Sequence, residues 1–417
     1  MADGAEVITV EDLADNGALH PVQQQLAELH GSQCGFCTPG FVMALFALYH
    51  AKRATPDRDQ VNDWIAGNLC RCTGYRPIVN AALASCSGAA ADRFSAQESK
   101  VLAALRALDD EDDLFVGTDE RFFAAPASTA SLAALYTSHT DAVLVAGATD
   151  VGLWITKKLQ TLPKIIWLGR VHELNEIEDA RDAVTFGAMV THEAAIPSLA
   201  AIDPDLGELM RRFAGKQIRT VGTIGGNIAN GSPIGDTPPA LIALGATLTL
   251  QKGKTQRELP LEEFFVAYGK QDRAAGEFVR SVTVPKLKKN ERFRCYKISK
   301  RFDQDISAAM GAFQFTLDGS TLTAARIAFG GMAATPQRAS KAEAALAGAD
   351  LKNEASWKPA LTALDQDFQP ITDMRASAGY RGDVARALLR KALIEVGGTV
   401  TKQTRIAGIR EAADATA

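Results

Sequence analysis

Four of the chain's six cysteines fall into two tight pairs, Cys34-Gly35-Phe36-Cys37 and Cys70-Arg71-Cys72, with thirty-two residues between them. Four thiolates at close range are the ligand set of an iron–sulfur cluster or of a structural zinc. Zinc sites usually enclose about two to four residues within each pair, and a C-x-C pair is less usual there. The iron–sulfur reading therefore leads, with zinc as its rival. Cys86 and Cys295 stand alone and read as small buried apolar residues.

A second set of residues suits a phosphate-bearing ligand. Val145-Ala146-Gly147-Ala148-Thr149-Asp150-Val151-Gly152 follows a strand-like run and leads into a helix-like one. Thr223-Ile224-Gly225-Gly226-Asn227-Ile228-Ala229-Asn230-Gly231-Ser232-Pro233-Ile234-Gly235-Asp236 is the other glycine-rich loop. Small residues let backbone N–H groups reach a pyrophosphate, and a helix start favours its charge. Neither loop fits G-x-G-x-x-G or the P-loop, and alone each reads equally well as a turn between strands. His20, His30, His50, His139, His172 and His192 show no ligand spacing and read as surface or packed residues. No Ser-His-Asp or paired-carboxylate arrangement suggests hydrolysis.

These residues need elements to hold them. Residues 1–88 read as helical. Thr38 as N-cap and Pro39 in the first turn suit a helix start just after Cys37, and Arg76-Pro77 does so after Cys72, so two helix N-termini would aim free N–H groups at the sulfurs. Arg71 would add positive charge, while Gly35 and Gly67 leave room for close approach. Residues 89–115, with the run Asp109-Asp110-Glu111-Asp112-Asp113, read as a solvated linker carrying one exposed helix. Residues 116–288 alternate short β-rich runs (142–147, 164–168, 247–250) with helical segments. Residues 289–397 open with strands (309–316, 325–329) and close on a helix around Ala385–Arg390, and 398–417 read as a tail. The whole is an α+β multidomain chain.

Composition narrows the partners. At 417 residues, 47% hydrophobic and 23% charged with a net charge of −4, the chain offers no basic field for nucleic acid or an anionic membrane. Its longest apolar run, Phe41–Leu48, is far short of a membrane span. The start lacks a signal-peptide pattern, which with paired cysteines points to a cytoplasmic metal or redox protein.

Ser32–Gly40 together with Gly67–Tyr75 resembles the helical [2Fe–2S] domain of the xanthine dehydrogenase family of molybdenum hydroxylases. The resemblance runs from about His20 to Glu395 and implies several things. Cys34, Cys37, Cys70 and Cys72 would hold one [2Fe–2S] cluster in an all-α four-helix domain, and Gln33 would approach the molybdopterin of a partner. An α+β FAD-binding domain of PCMH type would follow, then an α+β C-terminal flavoprotein domain of CO dehydrogenase type. FAD would be held by Val145, Ala146, Gly147, Ala148, Thr149, Asp150, Val151, Thr223, Gly226, Asn227 and Asp236, with Phe213 against the flavin and Lys297 near it. Phe329–Pro336 matches the last domain and is structural. The implied activity is that of the iron–sulfur and FAD subunit of a hetero-oligomer. A purine is hydroxylated on a molybdopterin-binding large subunit, and electrons pass to FAD and then to NAD+; this chain would carry no catalytic residue of the molybdenum site. Another molybdenum hydroxylase, acting on an aldehyde, nicotinate or an aromatic thioester, is the alternative, as is an inactive FAD-binding remnant. Members of this layout usually begin with a ferredoxin-like domain bearing four more cysteines. Here 33 residues precede Cys34 and none is cysteine, so a truncated or mis-set start is expected.

Overall fold

The computed structural model describes residues 4–51, 55–108, 110–399 and 403–405. Asp109 of the acidic run and most of the stretch expected as a tail lie outside the described residues. The chain divides into two compact units, residues 1–112 with 214–218, and residues 113–213 with 219–417.

The first unit is helical: α1 (Pro21–Glu28), α2 (Thr38–Ala51), α3 (Arg58–Ile65), α4 (Arg76–Ser85) and α5 (Arg93–Arg106). Local chemistry sets the starts. His20 with Gln23 and Asp57 with Gln60 form reciprocal capping boxes, and Pro21 and Pro77 sit in first turns, where a missing N–H costs nothing. The very apolar α2 lies at the centre, burying Phe41, Val42, Leu45, Phe46, Leu48 and Tyr49 among Val22, Leu26, Val61, Ile65, Ile78 and Val79. Thr38 differs from expectation. It is the first helical residue rather than the cap, its hydroxyl bonded to Ser32 Oγ at 2.7 Å, and Cys37 precedes the helix in its place. In the stretch read as linker, α5 buries none of its residues; Phe94, in its first turn, meets Phe46 edge-on at 5.1 Å.

The second unit holds three main sheets. The first takes β1 (Leu114–Thr118), β2 (Arg121–Ala125), β3 (Val143–Val145) and β4 (Lys164–Trp167) in the order β1-β2-β4-β3. The second takes β5 (Ile177–Asp179), β6 (Ala183–Gly187), β7 (Thr247–Lys252), β8 (Thr255–Pro260) and, beyond the short hairpin β9 (Phe265–Ala267) and β10 (Lys270–Gln271), β11 (Phe278–Pro285), in the order β5-β6-β11-β7-β8. The third is the antiparallel meander β12 (Glu291–Ile298), β13 (Ala309–Asp318), β14 (Thr321–Gly330) and β15 (Gln337–Arg338). Its central strand explains the near-continuous apolar run seen in the sequence, because both faces are covered. Met310 and Ala312 join the core built on Leu248, Val282 and Ile228. Ala309, Phe313, Phe315 and Leu317 join the core built on Trp357, Leu364, Leu389 and Leu393.

Side chains alternate across β12 in the same way. Lys297 points to one side, where it meets Asp236, while Arg294 and Tyr296 point to the other, where both bond Glu395. Glu395 lies on the helix Ala378–Val396 and is 1% exposed. Arg405, from the stretch expected as tail, binds it through Nη2 at 2.5 Å and grips Asp205 with two bonds of 2.7 and 2.9 Å. Among the described residues no helix is long and apolar enough to cross a membrane.

This network sets a stability test. Burial opposes the charge of Glu395, yet hydrogen bonds from Arg405 and Thr404 with the Arg405 charge hold its carboxyl down at about 2. A depressed carboxylate stabilises the fold above its ordinary value of 4.5, and that contribution is lost as the pH falls towards 2. Glu395→Gln is expected to cost about 3–5 kcal/mol in urea unfolding at pH 7 by stranding buried cations, and to flatten that acid limb. A variant within roughly 0.5 kcal/mol of the parent would show that the network is energetically idle.

Candidate cofactor sites

In the first unit the four paired cysteines converge. Cys34 and Cys72 bring their sulfurs to 3.6 Å, and Cys37 and Cys70 influence each other electrostatically, so each couple takes one residue from each sequence pair. No third sulfur lies within 4.8 Å of both members of a couple. One tetrahedral zinc would bring all four thiolates to about 3.8 Å from one another, given Zn–S bonds near 2.3 Å. Two separated couples instead suit two metals with a pair of thiolates each, as in a binuclear iron–sulfur cluster. The surroundings favour thiolate at Cys70 and Cys34, whereas the bond to Cys34 pushes Cys72 up. The hydroxyl and amide of Thr73 and the amide of Cys72 reach Cys70 Sγ at 3.2, 3.4 and 3.4 Å, and these bonds, chiefly those from Thr73, pull its thiol down to about 7. The amide of Phe36 lowers Cys34, while burial pushes Cys37 up. Gly35 adopts φ +83°, a left-handed turn that lets the loop fold back between its two cysteines. Phe36 beside them is 96% exposed. The two lone cysteines, Cys86 and Cys295, are buried as expected.

Two histidines that show no ligand spacing in the sequence also meet in this unit. The Nε2 atoms of His20 and His50 each lie 2.9 Å from Asp92 Oδ2. Val22 N–H donates to His20 Nδ1 at 3.2 Å, so in the neutral ring the proton sits on Nε2 and is donated to Asp92. That leaves His20 no lone pair facing the group, which is thus a hydrogen-bonded clasp joining the starts of α1 and α5 to the end of α2.

In the second unit the glycine-rich loops lie side by side. The first leaves β3 at Val145 and turns through Ala148 at φ +57° into the helix Val151–Thr156. A Cβ on Gly147 would fall 1.7 Å from the carbonyl oxygen of Val221, so only glycine lets this loop reach the segment before Thr223. Thr223 caps the helix Ile224–Asn230, its Oγ1 accepting the amide of Gly226 at 3.0 Å. A chain of side chains runs on from there. Asn227 Oδ1 accepts from Thr237 Oγ1 at 2.5 Å, and the neighbouring Asp236 accepts Lys297 Nζ and Ser307 Oγ, each at 2.5 Å. Asp236, Lys297 and Ser307 are all buried. Thr223, Gly226, Asn227, Asp236 and Lys297 thus form one linked, largely buried set, with residues 145–151 against its first end.

Phe213 stands apart from that chain but close by. Its ring packs on His192 at 4.5 Å between centroids and 46° between planes. Arg219, 1% exposed, holds the carbonyl of Phe213 at 3.3 Å, that of Arg211 at 2.9 Å and the carboxylate of Glu193 at 3.0 Å. Arg212 donates to the carbonyl of Lys297 at 3.1 Å, tying the Phe213 segment to β12. Burial, then the charge of Arg219, pushes His192 down to about 4, so it is uncharged at neutral pH. A cavity of about 320 Å³ beside β12 is lined by Asp205, Arg212, Tyr296, Phe302, Lys391 and Arg405 among others, and by no residue of either glycine loop.

Sequence reasoning missed Ser307, Thr237, Arg219 and His192. Ser307 lies ten residues beyond Lys297, and Thr237 one beyond Asp236. Neither His192 nor Arg219 carries a local signature.

Comparisons with known proteins follow this geometry. Residues 9–83 match the family described as "[2Fe-2S] binding domain", residues 118–287 "FAD binding domain in molybdopterin dehydrogenase", and residues 294–396 "CO dehydrogenase flavoprotein C-terminal domain". Xanthine dehydrogenase of Emericella nidulans is 31% identical over an alignment 426 positions long, spanning 88% of this chain and 31% of that protein. Xanthine dehydrogenase/oxidase of Rattus norvegicus is 32% identical, spanning 78% and 28%. The chain therefore covers about a third of the length of these curated relatives. Among solved structures, a chain of the Cu,Mo-CO dehydrogenase in its cyanide-inactivated form superposes with a TM-score of 0.61 at 28% identity, covering 65% of this chain and 95% of that one. Quinoline 2-oxidoreductase from Pseudomonas putida 86 shares the fold, with a TM-score of 0.60 at 24% identity over 68% of this chain and 98% of that one. With thiolates, glycine loops and three matched domains in this order, the chain is a molybdenum hydroxylase family member that carries the [2Fe–2S] and FAD electron-transfer domains.

Proposed function

We propose that this chain is the iron–sulfur and flavin subunit of a xanthine dehydrogenase. In this reading it passes electrons from purine hydroxylation on a molybdopterin-binding partner, through one [2Fe–2S] cluster and FAD, to NAD+ in the cytoplasm. The observation that carries it is the continuous likeness to xanthine dehydrogenases across 88% and 78% of the chain, through cluster and flavin domains alike. A second reading, an electron-transfer subunit serving another substrate, is supported by the likeness to CO dehydrogenase and quinoline 2-oxidoreductase.

The chain's own residues then have distinct tasks. Cys34, Cys37, Cys70 and Cys72 hold the cluster, with amides of Cys72 and Thr73 offsetting its negative charge at Cys70. The exposed Phe36 and the neighbouring Gln33 face the molybdopterin partner. Val145, Ala146, Gly147, Ala148, Thr149, Asp150 and Val151 form the loop that meets the FAD pyrophosphate, and Thr223, Gly226 and Asn227 line the site on the other side. Phe213 supplies an aromatic face for the flavin ring, and Asp236 orients Lys297 beside it. Bound FAD supplies the two-electron carrier that a one-electron cluster lacks.

Co-expression with a molybdopterin subunit of a xanthine dehydrogenase is expected to give xanthine-dependent reduction of NAD+. Turnover of quinoline, CO or an aldehyde with none of xanthine would favour the second reading. Cys34→Ser is expected to abolish the visible iron–sulfur bands and the matching iron content while FAD stays bound. Asp236→Ala strands the buried Lys297 charge and is expected to weaken FAD at least tenfold, about 1.4 kcal/mol, with the cluster intact. Flavin content equal to that of the parent would remove Asp236 from the site.

A further inference from the structure

His192 has a peculiarity that packing does not account for. It is 2% exposed, and its Nδ1 is buried without any hydrogen-bond partner. Buried polar atoms are ordinarily paired, and a leucine could fill an apolar niche at this spot without the cost of a stranded nitrogen. The position is not loosely held. Thr191 caps the helix His192–Ile202 and bridges to Thr223, and the backbone N–H of His192 donates to the carbonyl of Gly222 at 2.9 Å. Gly222 adjoins Val221, the residue against which Gly147 packs, so His192 is fixed to the place where the two glycine loops meet. Its ring lies on Phe213, the aromatic face of the same site. Burial first, then the adjacent charge of Arg219, whose partner is Glu193, opposes a positive imidazole. A neutral ring whose buried Nδ1 lacks a partner remains, beside the only aromatic side chain assigned to the dinucleotide.

We infer that His192 is a further FAD-binding residue, its Nδ1 gaining a hydrogen-bond partner when the dinucleotide occupies the site beside Phe213. The inference rests on the FAD reading of the glycine loops and adds a residue to it. His192 thereby serves two functions. It backs Phe213 in the free protein and adds a directional bond in the bound one.

Two substitutions separate these functions in the full-length chain, stripped of FAD and titrated with FAD by calorimetry. His192→Leu keeps the bulk and removes the nitrogen. It is expected to leave the melting temperature of the FAD-free protein unchanged or raised, to weaken FAD about tenfold, the worth of one buried hydrogen bond, and to shift the visible circular dichroism of bound flavin. His192→Asn places an amide nitrogen where Nδ1 stands and is expected to recover most of the affinity and the parental spectrum. His192→Leu binding FAD like the parent, or both variants weakened equally, would overturn the inference and reduce His192 to packing. A parent protein that retains its iron–sulfur bands yet takes up no FAD would overturn the underlying reading instead, and the inference with it.

Discussion

The buried carboxylate of Asp236 is the point on which the second unit's site depends. Two side chains from distant segments, Lys297 and Ser307, donate to it, and its neighbour Thr237 reaches Asn227. Placing a carboxylate and an ammonium where water cannot reach them is costly unless each finds partners of good geometry. Here the cost is offset by confining partners that come from different parts of the chain. Such a pair adds little net stability but permits only one arrangement. The loop that ends at Asp236, strand β12 and the entry to β13 cannot shift independently without stranding a charge.

Strand β12 carries that constraint further. Because its side chains alternate, Lys297 belongs to the Asp236 side, and Tyr296 with Arg294 belongs to the Glu395 side. A register slip of one residue would turn each set to the opposite face, placing either a phenol against Asp236 or an ammonium against Glu395 according to its direction. Polar groups on both faces thus fix the register, and with it the height at which Lys297 enters the site. Arg212, donating to the carbonyl of Lys297, holds the same strand from its edge.

The sequence made legible what residue type alone dictates. Four thiols in two pairs announce a metal site because few other tasks need them, and the run at Ala309–Thr316 reads as a strand from its composition, although that both its faces are covered is seen only in the structure. Glycine loops gave a weaker signal, since turns use the same residues; the close approach of Gly147 to Val221 is a tertiary fact. Long-range polar partners left no trace. Ser307 meets a carboxylate 71 residues away, and Arg405 meets one 200 residues away, with no periodicity to connect them. Likewise His20, His50 and Asp92 show no ligand spacing and still converge, because helix ends rather than a loop bring them together. Thr38 shows a smaller failure, where a good capping residue was displaced by one position because its hydroxyl found Ser32 instead.

The pairing of the cysteines bears on how the helical unit keeps its shape. Each couple joins one loop to the other, Cys34 with Cys72 and Cys37 with Cys70, rather than closing a loop on itself. A group held by all four therefore acts as a double rivet between the segment entering α2 and the segment entering α4. Loops of this separation lose appreciable chain freedom when their ends are fixed together. The electron carrier is then also a mechanical element, and its loss would free two helix starts at once.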